Sequence, residues 1–461
     1  MKQEESFTVT IKRKEGESFQ CKIDFADDDG EPSSGKTLPG EFRKLSDNWT
    51  TTCVSFFEVV PFLSDIGYFY ADRDFEQKTQ DFLGEHGTLK SSEQEDGLTV
   101  QQYDVPFREL ELFSKTLGKI SQLLKTAETL KRSALGSLVS EYEAFWVELL
   151  AILARVRPTA FLGDEFVVTE AELTDYDSIE ELRYAKLQQA LDDILHGKSH
   201  IEVLDFIGKK FGGNLLSDKK LISEFVEVCQ RRHLITHAGA KVNKRYLRIC
   251  LDAGCDVETL PKLGENVTIS RKYLRRATAR IYQVGFFSLH LLWQKLLRDT
   301  EGSDSAVLNA SHTFLENDLT KMARRISKFS LERKSNRPHN VVHAYLIINQ
   351  AQTYAFDKSL EDRERIEGVE KCLSQRDWSM KSALVELVLA CLRREYEGID
   401  DKVVAAATVG EQSLQYPDVF TWNVFREARD NSTFIDGVTR AFGSVVSLDA
   451  NRSIALSNPD T

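Results

Sequence analysis

Apolar and polar positions follow two different periods along this chain. Near the N-terminus they alternate: Phe7, Val9 and Ile11 with Thr8, Thr10 and Lys12, then Phe19, Cys21, Ile23 and Phe25 with Gln20, Lys22 and Asp24. A period of two is the signature of a strand, and Glu15-Gly16-Glu17 supplies a turn between the runs, so the stretch predicts a β-hairpin. The region to about residue 85 mixes aromatic clusters, Phe56-Phe57 and Tyr68-Phe69-Tyr70, with polar residues and predicts no particular fold. Residues 85–99 are polar and read as a loop.

From about residue 107 the period lengthens. Leu110, Leu112, Phe113, Leu117, Ile120, Leu123 and Leu124 recur at helical spacings. Phe145 to Val156 is the most apolar segment, but Glu148 interrupts it and Arg155 and Arg157 close it, which predicts a buried amphipathic helix. Further helical patterns cover Asp205 to Phe211, Leu221 to Ile235 and Tyr273 to Leu297. A polar break at Glu332 to Pro338 stops one helix and can start the next. Beyond it, Val341–Tyr354, Glu361–Leu373, Met380–Tyr396 and a last pair around 402–412 and 422–442 are again amphipathic. Short helices on short turns suggest hairpin packing of the solenoid kind, although the self-similarity is too weak to define a repeat. The tail after Gly443 is polar.

Composition narrows the classes. The chain has 461 residues, 41% apolar and 29% charged, enough to bury real cores. At about 150 residues per domain this suggests roughly two to four domains. Nine prolines and 25 glycines are few and lean toward helix. A net charge of −12 argues against a protein that coats nucleic acid non-specifically, without excluding a local basic site. No apolar segment follows Met1-Lys2-Gln3-Glu4-Glu5, and no run of about 18 apolar residues occurs, so neither a secretory leader nor a membrane span is expected. Seven cysteines, an odd number thinly spread, read as free thiols in a reducing compartment. The expectation is a cytoplasmic protein with no membrane partner.

Several motifs carry chemistry on paper. Gly30 to Thr37 matches the phosphate-loop pattern GxxxxGK[ST], which needs a helix straight after it. Pro39 and Gly40 argue against that helix, and Asp27, Asp28 and Asp29 would repel phosphate. A polar loop is the better reading. His339 and His343, and likewise His196 and His200, have the spacing of two zinc ligands, but the glutamate of HExxH is missing after His339. No metal is therefore assigned. Cys250 and Cys255 lack a partner pair and read as ordinary buried thiols.

One segment stands apart, Glu227 to Gly239. Two arginines and two histidines, Arg231, Arg232, His233 and His237, crowd the end of an apolar-periodic helix that Gly239 is suited to stop. His237 then falls at the helix C-terminus, where the dipole favours a cation. Residues 231–280 hold 12 Lys+Arg against four Asp+Glu, a local +8 in an acidic chain. Lys241, Lys244, Arg245, Arg275 and Arg276 in this segment are candidates for contact with an anionic polymer. Such residues suit phosphodiester cleavage without metal. A histidine can take a proton from a ribose 2′-hydroxyl or give one to the leaving oxygen, and an arginine can grip the phosphate and stabilise its growing charge. Five residues separate Arg232 from His237 by about 140° around an ideal helix, so they converge only if the helix loosens or a second copy contributes. A basic surface cluster with one capping histidine is the plainer alternative.

Arg232-His233-Leu234-Ile235-Thr236-His237 resembles the RxxxxH signature of HEPN domains, flanked by Glu227 and Arg231 before it and Gly239, Val242, Asn243, Tyr246 and Leu247 after it. His233 stands where the similar bacterial subgroup often has asparagine. Leu138 to Phe145 resembles the start of that domain's first long helix. Asp377-Trp378-Ser379 and Trp422 to Glu427, ending at Phe442-Gly443, resemble the helical C-terminal region of the same proteins.

The resemblance spans roughly residues 110–445. It implies a mainly α protein with a HEPN helical bundle over 107–300 and TPR-like helical hairpins over 310–445. Outside it, residues 1–100 read as a mixed β/α N-terminal region with an expected sensing or regulatory role, and 446–461 as a disordered tail. The resemblance further implies a homodimer through the HEPN bundle that joins two RxxxxH motifs in one composite site. The implied activity is a metal-independent, cofactor-free endoribonuclease, a toxin or effector in abortive infection or phage defence. Arg232 would hold the phosphate and His237 would be the general acid or base, with His233, Arg231 and Glu227 in support. RNA is the expected partner, with a tRNA anticodon loop as one substrate whose unpaired 2′-hydroxyls are reactive. A protein partner or trigger would sit on the C-terminal helices. The competing expectation is a non-enzymatic HEPN/TPR-like scaffold.

Overall fold

The computed structural model describes residues 8–12, 20–24, 37–95, 98–162, 176, 178–333, 341–408 and 413–443. The molecule is mainly helical, with a small β component near its N-terminus. The alternating N-terminal runs form the hairpin that their period predicts: β1 (Thr8–Lys12) pairs antiparallel with β2 (Gln20–Asp24), Val9 opposite Ile23 and Ile11 opposite Cys21.

The next element departs from expectation. Residues 38–86 form one 49-residue helix, α1 (Leu38–His86). Pro39 does not prevent it, because a first-turn residue has no intrahelical acceptor for its amide and proline loses nothing there. Thr37 caps the end, its hydroxyl accepting from the Gly40 amide at 3.3 Å. The phosphate-loop residues Gly30 to Lys36 lie outside the described residues. The polar stretch expected to be a loop is a second hairpin, β3 (Thr88–Glu95) with β4 (Leu98–Asp104). It returns the chain into α2 (Leu110–Val156), a 47-residue helix that includes the apolar segment from Phe145. The two long helices run antiparallel. Phe82 stacks on Phe113 near the hairpin, and Arg155 pairs with Glu41 at 2.6 Å at the opposite end.

Shorter helices follow: α3 (Ile179–Gly197), α4 (His200–Phe211), α5 (Lys219–His237), α6 (Lys244–Asp252), α7 (Arg271–Leu297), α8 (Thr300–Glu316) and α9 (Thr320–Leu331). Then come α10 (Val341–Ala355), α11 (Asp362–Leu373), α12 (Ala383–Arg393), α13 (Ile399–Thr408) and α14 (Ser432–Phe442). No described helix is long and apolar enough to cross a membrane.

Helix α7 is the axis of the main core. Phe286, Leu289 and Trp293 are fully enclosed along it, which fits its near-continuous apolar face. The first half of α1 packs directly on α7: the Trp49 indole donates to the Tyr282 carbonyl at 3.1 Å, and Ser46 meets His290 at 3.2 Å. This core runs from Phe42 to Leu346 and takes in α8 and α9. Packing therefore does not divide the chain near residue 100, nor near 300. A second core, from Ile347 to Val438, holds the C-terminal helices. Polar contacts join the two: Arg324 donates to the Thr353 carbonyl at 2.6 Å and to Asp357 at 2.9 Å, and Asn349 donates to Ser311 at 2.8 Å.

Candidate active site

Helix α5 presents the basic motif. Asp218 caps its start, accepting from the Leu221 amide at 3.0 Å. Phe225, Val226, Val228 and Leu234 turn into the core and fix its rotation. The helix stops at His237, where the sequence places the break. Gly239 takes the left-handed conformation at φ 59°, and Ala240 follows at φ 63°. The Ala240 amide returns to the Leu234 carbonyl at 3.0 Å, closing the last turn. The chain then pairs edge to edge with residues 264–267 and enters α6, whose first-turn amide at Tyr246 is capped by Asn243.

Two carboxylates sort the arginines. Glu227 is buried and accepts from Arg231 at 2.6 Å, from the Tyr246 hydroxyl at 2.7 Å and from the Tyr273 hydroxyl at 2.8 Å. Arg231 also donates to the Thr268 carbonyl and stacks on Tyr273, 4.2 Å from the ring centroid. Burial and the neighbouring carboxylate push both phenols up. This network ties α5, α6 and α7 together and leaves Arg231 no free face for a phosphate. Glu227 and Arg231 are thus positioning residues for the helix.

Glu143, on α2, serves the other arginine. Its Oε1 lies 3.5 Å from an Arg232 guanidinium nitrogen and 3.2 Å from Nε2 of His200. Burial alone would lower His200, but Cys229 and Glu143 outweigh it and push the imidazole up to about 10. Arg232, Glu143, His200, His233 and Arg245 all line one cleft of about 750 Å³. His233 is held below the usual histidine range, first by burial and then by His237, Arg245 and Arg232. The His233 and His237 rings lie 4.8 Å apart, but His237 is exposed and does not line the cleft. Within the chain, therefore, Arg232 faces the cleft while His237 stands one ring away.

The remaining basic candidates divide. Lys241 and Lys244 are exposed on the corner between α5 and α6, beside Arg245. Arg275 and Arg276 do not line this cleft; they border a separate recess against α9. Sequence reasoning passed over Glu143 and placed His200 only in a metal pair. The trace that could have found them is slight, since Glu143 lies beside Tyr142 within an amphipathic helix and pairs with His200 across 57 residues. Cys250 is buried as expected, and Cys255 donates to the Ser223 carbonyl at 3.2 Å. Among the described residues, no group of three or more His, Cys, Asp or Glu has the arrangement of a metal site.

Compared with protein-family models, with curated proteins and with solved structures, the chain matches none.

Proposed function

We propose that the chain is a metal-independent endoribonuclease of HEPN type that acts as a toxin or effector in abortive infection or phage defence. The observation that carries this reading is the convergence of Arg232, His233 and Arg245 on one cleft, with the His237 ring tilted against that of His233 at the end of the same helix. Arg232 grips the scissile phosphate and stabilises the charge that grows on it. His237 takes the 2′-hydroxyl proton or gives one to the leaving 5′-oxygen. The products are a 2′,3′-cyclic phosphate and a 5′-hydroxyl. His233, whose pKa burial and the neighbouring cations lower, supports His237 through the contact of their rings. Lys241, Lys244 and Arg245 contact the RNA backbone on either side.

Arg232 and His237 do not face one another in a single chain, so the reaction needs a homodimer in which two copies of the motif meet. Glu143 opposes it, since its carboxylate occupies part of the guanidinium that a phosphate would take. Binding of an RNA strand has to displace that contact, which provides a restraint on an activity harmful to its host. The same contact favours a second reading, a dimeric scaffold whose C-terminal helices bind a protein partner. Induced expression separates the two. The ribonuclease reading predicts growth arrest by the wild type that Arg232→Ala and His237→Ala each relieve. Equal arrest by wild type and both variants contradicts it and favours the scaffold.

A further inference from the structure

Independently of any nuclease activity, we propose that the recess where the main bundle meets the C-terminal helices binds a nucleotide-sized phosphorylated ligand. The recess encloses about 430 Å³ and is built from four separate segments: α1, α7, the turn into α9 and the turn after α10. That volume lies within the roughly 300–1,000 Å³ of small-molecule sites, which favour such junctions.

Its charge is the first argument. Arg275 and Arg276 from α7, Lys321 from α9 and Lys358 from the turn after α10 all border it. None of the four forms an ion pair with a described carboxylate. Two carboxylates also border the recess, but each pairs with an arginine outside its lining. Asp357 accepts from Arg324 at 2.9 Å, and Asp318 accepts from Arg426 at 2.6 Å. Four cations without an ion-pair partner among the described carboxylates are thus concentrated in a chain of net charge −12. Like charges so placed repel, and a polyanion relieves that repulsion while supplying acceptors for guanidinium and ammonium donors. The end of α9 adds to this, because Leu319 before it has no side-chain oxygen to cap its first amides.

The apolar part of the lining is the second argument. Phe57 forms a buried wall with the Arg275 guanidinium 5.2 Å from its ring centroid, and the half-buried Phe356 borders the opposite turn. A bare phosphate would use only the cations. A nucleotide would also lay its base on an aromatic face.

Calorimetric titration of the full chain with ATP and with inorganic pyrophosphate tests this. The proposal expects saturable one-to-one binding of both, ATP at least about tenfold tighter. Arg276→Gln/Lys358→Gln, two exposed positions whose change leaves the fold intact, is expected to weaken ATP binding about tenfold or more. Lys115→Gln/Arg363→Gln removes the same charge from remote surfaces and is expected to leave binding unchanged. Absence of saturable binding at millimolar ATP would overturn the site, as would equal weakening in both double variants. Equal affinity for ATP and pyrophosphate would overturn the nucleotide assignment. A short single-stranded RNA that competes in the recess more tightly than ATP would instead assign it to RNA backbone.

Discussion

Glu227 accepts three hydrogen bonds, from Arg231, Tyr246 and Tyr273, at a position only 7% exposed. Removing it strands a nearly buried guanidinium and two phenols. Glu227→Ala is therefore expected to cost about 3–5 kcal/mol in urea unfolding, the range for breaking one partner of a buried pair; a loss under about 1 kcal/mol would mean the network does not hold α5. Glu143 sits in a wetter place, 42% exposed at the side chain, and its effect is on titration. Against burial, Cys229 and then Glu143 raise His200 from about 6.5 in the unfolded chain to about 10 in the folded state. Because the shift is upward, the stabilisation it brings is complete below about pH 6.5 and is lost as pH rises through about 10. Glu143→Gln should lower the His200 titration midpoint by NMR, and its stability deficit against wild type should shrink between those limits. An unmoved midpoint would detach His200 from Glu143.

At the scale of elements, the end of α5 depends on two consecutive left-handed residues. A Cβ at Gly239 would meet nothing within 4 Å, so the cost of a side chain there is conformational alone. Gly239→Val should destabilise by about 1–2 kcal/mol, read from thermal melts, through the left-handed backbone it must adopt. A neutral result would show that the turn re-forms without a positive φ. The helices from α5 onward were legible because their apolar residues recur at helical spacing and their stops, such as Gly239, are explicit. Helix α1 was not. Its aromatics are clustered, Pro39 opens it and Pro61 lies inside it, so propensity argued against what packing on α7 imposes. The β3–β4 hairpin hid for the opposite reason, since Ser91, Ser92, Glu93, Gln94 and Glu95 offer no apolar alternation to read. The basic motif was legible as a local cluster. The carboxylate that meets Arg232 was not, because only the packing of α2 beside α5 brings Glu143 there.

For the whole molecule, the N-terminal helix is part of the main core rather than an appendage to it. Trp49 is 4% exposed, donates to the Tyr282 carbonyl and packs 4.8 Å from the Phe145 ring centroid. Trp49→Ala is expected to cost about 3–5 kcal/mol, and removing residues 1–100 should prevent the remainder from folding cooperatively. A truncated chain that melts as sharply as the full one would restore the boundary that the polar stretch and the change of period suggest. The basic cleft and the cationic recess at the junction with the C-terminal core have separate linings, so substitutions in one leave the other untouched.

The central claim is that Arg232 and His237 cleave RNA without metal. Its most direct test is purified wild type against Arg232→Ala/His237→Ala on total RNA in EDTA, with the ends of the fragments identified. The account predicts cleavage by the wild type alone, leaving 2′,3′-cyclic phosphate and 5′-hydroxyl ends. Equal cleavage by both proteins would contradict it.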